Sequence, residues 1–301
     1  MNVESVEALF RAHFRRLEIV PTGEQPALAP LPDVRAVLLD IYGTLVMSAC
    51  GEVGTVATSA EAVVAALASA GVAIDDEAHG RRIANAGARQ LVASISQWHA
   101  QWRAQGVEHP EVDIRRVWES VIDELIAQKL LPSGARQADH ERVAVHYEAR
   151  VNPCWPMPGA RRCLEKLRAA GRRLGIISNA QFFTPAMITA LFGKSLSELG
   201  VDSGLRYYSF ELGEAKPGDR LARLAAEGLR GRGIAAHQVL AIGNDMLNDV
   251  RPAHDVGFRT GLFAADARSL RWRATDPRLA GLRPDIVLTD WSQLTECLRP
   301  G

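Results

Sequence analysis

Val37-Leu38-Leu39-Asp40-Ile41-Tyr42-Gly43-Thr44-Leu45 is the stretch on which the fold turns. A short apolar run delivers an aspartate into a Tyr-Gly-Thr turn. Such a run, closed by turn residues, reads as a strand buried on both faces. A carboxylate at its exit sits at the mouth of a sheet, and open α/β sheets bind ligands in the crevice beyond the carboxyl ends of their strands. Taken alone, Asp40 is a turn cap. Residues farther along the chain give it more weight.

The 301 residues suffice for a full core and a second, smaller unit. Lysine and arginine total 35 against 35 aspartates and glutamates, so no global charge argues for nucleic acid or an anionic membrane. Cys50, Cys154, Cys163 and Cys297 are scattered, without CxxC pairs or metal-like spacing, which fits reduced cytoplasmic thiols better than a disulfide framework. From Asn2 to Arg16 the chain is polar and charged with no continuous apolar core, so no signal peptide is expected. No apolar run is long enough to span a bilayer. The expectation is a soluble cytoplasmic protein, monomer or homodimer, that acts on a small molecule.

Val3, Val6, Phe10, Phe14 and Leu17 recur at helical spacing, predicting an amphipathic helix over residues 2–18. Prolines 21, 26, 30 and 32 punctuate an extended linker after it. From about Gly54 to Asn152 the pattern is helical. Thr58 and Glu61 form a capping pair for a helix that Gly71 stops, and a longer helix runs from Asp76 to Arg103. A third starts near Pro110, and a fourth covers Gln137 to Arg150. The proline-rich return, Asn152 to Gly159, reads as a boundary. Beyond it, strands end at the polar pair Ser178-Asn179 and at Phe210, Ile242, Phe263 and Leu288, with helices between them. The predicted organisation is an N-terminal helix and linker (1–33), a doubly wound parallel α/β core (34–53 and 153–301) and a helical insert (54–152).

Asp40, Ser178, Lys216 and the Asn244/Asp245/Asp249 cluster all fall at strand ends or in a loop after a strand. Parallel strands place their carboxyl ends on one edge, so these groups can converge. A carboxylate can attack an electrophile to form a covalent intermediate. A hydroxyl and an ammonium can hold an anionic group. A second carboxylate beside Asp40 suits Mg²⁺. The register at Gly243-Asn244-Asp245 is ambiguous by one residue. If the strand ends at Gly243, Asn244 takes the first ligand position; one residue later, Asp245 does. A carboxylate is the better Mg²⁺ ligand, so Asp245 is the expected one. Arg268, Arg271 and Arg273 form a local basic cluster, read either as a site for an anion or a partner or, by default, as a solvated, salt-bridged face.

Together these features resemble the haloacid dehalogenase superfamily of hydrolases. Its Asp-x-Asp/Tyr-Gly-Thr-Leu/Val pattern is matched by Asp40 to Leu45, its strand-closing Ser or Thr by Ser178, its lysine by Lys216-Pro217, and its acidic segment by Gly243 to Asp249. The resemblance covers about residues 34 to 298, and the helical insert looks like that family's type-1 cap. It implies Asp40 as nucleophile, with Ser178, Lys216 and Thr44 as catalytic partners and Tyr42 and Asn179 as substrate contacts. It also implies a Mg²⁺ site built from Asp40, the Tyr42 carbonyl, Asp245, Asp249 and Asn244.

Two departures point in opposite directions. Tyr42 stands where the family's phosphatases carry an acid/base aspartate, as in its metal-free 2-haloacid dehalogenases. The acidic segment after Gly243 looks instead like that of a metal-dependent phosphatase, and no arginine for halide capture lies in Val46 to Gly51. The retained acids favour a Mg²⁺-dependent phosphatase of a small metabolite. The alternatives are a 2-haloacid dehalogenase and a catalytically impaired binding module.

Overall fold

Strand β1, Ala36–Leu39, has every residue buried, as its uninterrupted apolar run requires. The computed structural model describes residues 5–50 and 59–299. In it, β1 pairs in parallel with β4 (Arg173–Ser178) on one side and with β6 (Val239–Gly243) on the other. β5 (Val201–Tyr208) lies outside β4, and β7 (Arg259–Phe263) and β8 (Ile286–Leu288) lie outside β6. The six-stranded order is β5-β4-β1-β6-β7-β8, all parallel. The chain works outward from β1 to β5, then crosses back to β6 and proceeds the other way. That reversal opens a crevice at the carboxyl ends of β1 and β6.

Successive side chains of β1 point to opposite faces and anchor two cores. Val37 and Leu39 join Ile176, Leu240 and Ile242 beneath helices α6 (Ala160–Ala169), α7 (Thr184–Phe192) and α11 (Trp291–Cys297). Ala36 and Leu38 join Leu205 and the Leu221, Ala225 and Leu229 stripe of α9 (Arg220–Arg230). The core is the doubly wound α/β sheet that the strand pattern predicts.

Helices α2 (Ala60–Ser69), α3 (Glu77–Ala104), α4 (Ile114–Ala127) and α5 (His140–Val151) bury a cluster of their own. Val63, Leu67, Ile83, Trp118, Ile122 and Leu125 are fully enclosed in it. Ser59 caps α2 by accepting from the Ala62 amide at 3.2 Å; Thr58, the expected capping residue, lies outside the described residues. So do Val3 and the boundary expected at 53/54. α4 starts at Ile114, not at Pro110, because Asp113 caps it at 3.0 Å. The preceding segment is held by the core instead, with the Glu111 amide donating to Gly213 O and the Ala215 amide to His109 O.

A short antiparallel ribbon has no counterpart in the sequence reading. β2 (Val46–Ser48) pairs with β3 (Cys154–Pro156), inside what reads as a proline-rich linker. Three-residue strands carry too little alternation to be seen. The N-terminal helix α1 is shorter than expected, Val6–His13, and packs on both α5 and α7. After it, Ala27 pairs with Val287, so the presumed linker covers the outer edge of β8. No helix among the described residues is long and apolar enough to cross a membrane.

Candidate active site

Asp40 continues the β1 ladder, its amide donating to Ile242 O at 2.9 Å, before the chain turns. Its side chain is 9% exposed. Oδ1 accepts from Ser178 Oγ at 3.0 Å and from Lys216 Nζ at 2.7 Å. Oδ2 receives a long contact from Thr44 Oγ1, at 3.4 Å. One carboxylate oxygen is therefore clamped and the other lightly held. Gly43 makes the turn with φ of 82°, and a Cβ there would lie 2.5 Å from that of Ser269. No other residue fits both the left-handed backbone and the space.

Ser178 arrives as the last residue of β4. Lys216 comes from the loop after β5, and the side chain of Asn179 fixes its backbone. Asn179 Oδ1 accepts from the Lys216 amide at 2.7 Å, and Nδ2 donates to the Lys216 carbonyl at 3.1 Å. Asn179 lines the pocket, and its amide braces the lysine backbone with one bond from Nδ2 and one to Oδ1. Lys216 Nζ also donates to Ile177 O at 3.3 Å and to Asp249 Oδ1. Burial by itself would lower the ammonium's pKa; Asp249 and Asp40 outweigh it and hold the pKa above lysine's usual range.

Two buried carboxylates share this one ammonium, so a negative charge is left over. Burial first, and then repulsion from Asp40 and Asp245, raise the Asp249 pKa to about 7 against the opposing pull of Lys216. Gly243 lets Asp249 pack so closely, since a Cβ there would lie 2.1 Å from its carboxyl carbon.

The register at Gly243 is settled by the ladder: β6 ends at Gly243, so Asn244 takes the first position. Its Oδ1 accepts from Thr44 Oγ1 at 3.1 Å, and its Nδ2 donates to Ser269 O at 2.7 Å. Asp245, the expected ligand, is turned elsewhere. Its carboxylate accepts from the amides of Leu247 and Asn248 at 2.8 and 3.2 Å, capping the short turn Met246–Val250. Arg273 grips both of its oxygens, with Nε at 2.8 and 3.0 Å and Nη2 at 2.6 Å.

The residues expected to hold Mg²⁺ do not fit it. Among the described residues no three His, Cys, Asp or Glu side chains form a metal-binding group. Asp245 is neutralised by Arg273. Asp249 accepts from Lys216 and, at 3.0 Å, from the Asp245 amide. A fixed ammonium between Asp40 and Asp249 occupies the charge that a divalent cation would need. Of the expected set, one Asp40 oxygen free of a cation, the Tyr42 carbonyl and the Asn244 amide remain, so a single carboxylate would face the ion.

Tyr42 follows the turn with its hydroxyl buried against α7, 3.0 Å from Thr184 Oγ1. Burial, and then Cys154 and Glu148, raise its pKa well above that of an ordinary tyrosine. It is no acid for a leaving group. The pocket over Asp40 is about 60 Å³ and is lined by Tyr42, Lys216, Asn244, Asp249, Ser269 and Arg271. Arg271 belongs to the basic cluster at 268, 271 and 273, and only the tertiary structure tells the three arginines apart.

A family model described as haloacid dehalogenase-like hydrolase matches residues 34–257. No curated protein sequence matches the chain. Among solved structures, the chain is similar to a 2-haloacid dehalogenase from Pseudomonas syringae pv. Tomato DC3000, at 20% identity, with a TM-score of 0.54 over 88% of this chain and 97% of that one. It is also similar to a predicted phosphoglycolate phosphatase from Haemophilus somnus, at 16% identity and a TM-score of 0.47 over 88% and 97% of the two chains. A magnesium-bound putative HAD-hydrolase from Bacillus subtilis matches at 14% identity and 0.47, over 88% and 99%. At 20% identity, the similarity to the Pseudomonas syringae structure speaks for the fold alone.

Proposed function

The chain belongs to the haloacid dehalogenase-like hydrolase family, and on that footing we propose that it hydrolyses a small 2-halocarboxylate without a metal, with Asp40 as the attacking carboxylate. The observation that carries this reading is Tyr42. A phosphate ester leaves as an alkoxide and needs a proton; a halide leaves as a stable anion and needs none. The position that would supply that proton holds a phenol bound to Thr184, with its pKa raised. The donor set around Asn244 and Asp245 supports the same choice. It reverses the preference for a Mg²⁺-dependent phosphatase that the acidic residues suggest in the sequence alone.

The lightly held Asp40 Oδ2 attacks the carbon that bears the halogen. A C–O bond forms as the C–halogen bond breaks, and halide leaves with the bonding pair. Water then attacks the Asp40 carboxyl carbon of the resulting ester. Asp249 accepts a proton from that water and returns it to the departing 2-hydroxy acid; the second proton is lost to solvent as the Asp40 carboxylate is restored. Ser178 and Lys216 hold Oδ1 so that Oδ2 stays aimed, and Thr44 steers it. The pocket volume of about 60 Å³ suits an acid of a few heavy atoms, far below the roughly 300–1,000 Å³ of drug-sized sites. The helical unit α2–α5 serves as the cap that keeps bulk water from the ester.

The test is halide release from 2-chloropropionate, which EDTA leaves unchanged and Asp40→Ala abolishes. Turnover of a phosphomonoester that needs Mg²⁺ and stops with EDTA would overturn the reading in favour of a phosphatase. Turnover of neither substrate would leave a binding scaffold.

A further inference from the structure

Three arginines follow β7 at nearly alternate positions, and the fold uses them differently. Arg268 is committed to Asp266, with Nε at 3.0 and 3.1 Å and Nη2 at 2.7 Å. Arg273 is committed to Asp245. Arg271 donates through Nη1 to its neighbour's carbonyl, Leu270 O, at 2.9 Å, and among the described residues it meets no carboxylate. It nevertheless lines the same pocket as Asp40, Lys216 and Asn179.

Its backbone is well fixed. The Arg271 amide donates to Asn244 O at 2.9 Å, and the Met246 amide donates to Arg271 O at 2.9 Å. This parallel bridge fastens Arg271 to the turn that carries Asn244 and Asp245. Two residues on, Arg273 has φ of 47°, a left-handed kink for a non-glycine residue, and its guanidinium spans the Asp245 carboxylate. The loop is thus pinned on either side of Arg271, a residue of the pocket wall whose guanidinium is engaged by a backbone carbonyl and by no carboxylate among the described residues.

Charge counting gives it a task. Lys216 is shared by Asp40 and Asp249, so the site's ammonium has no charge to spare for an anion. An anionic substrate entering beside two carboxylates needs another cation, and Arg271 is the one the pocket supplies. A guanidinium matches a planar carboxylate with two parallel hydrogen bonds.

We propose that Arg271 is the specificity residue that binds the substrate's carboxylate and so orients the adjacent carbon toward Asp40. The inference rests on the hydrolase reading above, but it can be tested apart from it. Propionate, an unreactive carboxylate, is titrated into the wild-type protein and into Arg271→Ala by calorimetry, with inorganic phosphate as a parallel probe. The expected result is propionate binding that weakens by about 10- to 100-fold in Arg271→Ala, with Arg271→Lys between the two. In turnover, the same change raises KM for 2-chloropropionate by a similar factor, and by a smaller factor for its uncharged amide. Thermal melts of the variants check that the fold survives.

Equal propionate affinity in the wild type and Arg271→Ala overturns the proposal. Arg271-dependent binding of phosphate but not propionate also overturns it, and assigns the cation to a phosphoryl group. Arg271-dependent propionate binding in a protein that releases no halide upholds the anchor while the dehalogenation reading falls.

Discussion

Asp249 gives the site its pH dependence. Its carboxylate accepts a water proton only when ionised, and burial beside Asp40 has raised its pKa to about 7. Below that pH the group is protonated and cannot act as base; above it the group is ionised and can. The rate of ester hydrolysis should therefore rise as pH increases through about 7 and then level off. Asp249→Asn should remove that limb and trap the ester, giving a burst of halide equal to the enzyme present and then near silence, with a rate loss of about 10²- to 10⁴-fold. A steady rate in Asp249→Asn with the limb intact would assign the base elsewhere. The positions of Asp40 and Ser178 at strand exits were legible in the sequence, because the apolar runs before them reveal β1 and β4, whereas Lys216 lies in a loop well beyond β5 that no apolar run marks. The role of Asp245 was not, for a physical reason. The choice between Asn244 and Asp245 rests on where the β6 ladder stops, and a carboxylate's value as a ligand depends on Arg273, which reaches it only through the fold. Which of the three clustered arginines lines the pocket was hidden for the same reason.

Among the elements, α1 shows how a modest helix ties two bodies together. Phe10 is 2% exposed, with its ring centroid 5.7 Å from that of Phe183, just before α7. On the other side, His13 meets His146 of α5 edge-on at 5.8 Å. Arg150 Nη1 lies 2.9 Å from His146 Nδ1, and His146 Nε2 is buried without a partner. Burial, then Arg150, Arg142 and His13, lower the His146 pKa to about 4. The ring is neutral in the folded chain, whereas in the unfolded chain it protonates near its ordinary value of about 6.5. Its contribution to stability is therefore present above about 6.5 and is lost as pH falls toward 4. The melting temperature should drop across that window, and His146→Gln should flatten the drop. An unchanged slope in the variant would place the acid sensitivity in other groups. The helical periodicity showed that α1 exists but not what it touches. Likewise, Pro110 marks a helix start by its chemistry, yet the 109–111 segment is drawn off to pair with 213–215.

For the whole molecule, the strand order came only with the structure, but the parallel doubly wound class followed from the sequence because strands and helices alternate along the core. The β2–β3 ribbon did not, and it has a consequence of its own. Ser48 faces Cys154 across the ladder, and the Ala49 amide donates to Pro153 O at 3.0 Å. The chain thus leaves the sheet and comes back to it at a single hairpin, with the whole helical unit standing where a tight turn would otherwise be. In effect the unit is a removable cassette. Replacing residues 50–152 with Asn-Gly, which favours a two-residue hairpin turn, and trimming residues 1–17, whose helix would lose α5, should leave a core that still folds cooperatively. Circular dichroism would show a single thermal transition with the sheet intact, whereas a chain that never acquires it would mean the cassette is needed for the core to fold. Such a core would hold Asp40, Ser178, Lys216 and Arg271 open to solvent, a scaffold onto which a different lid could be grafted.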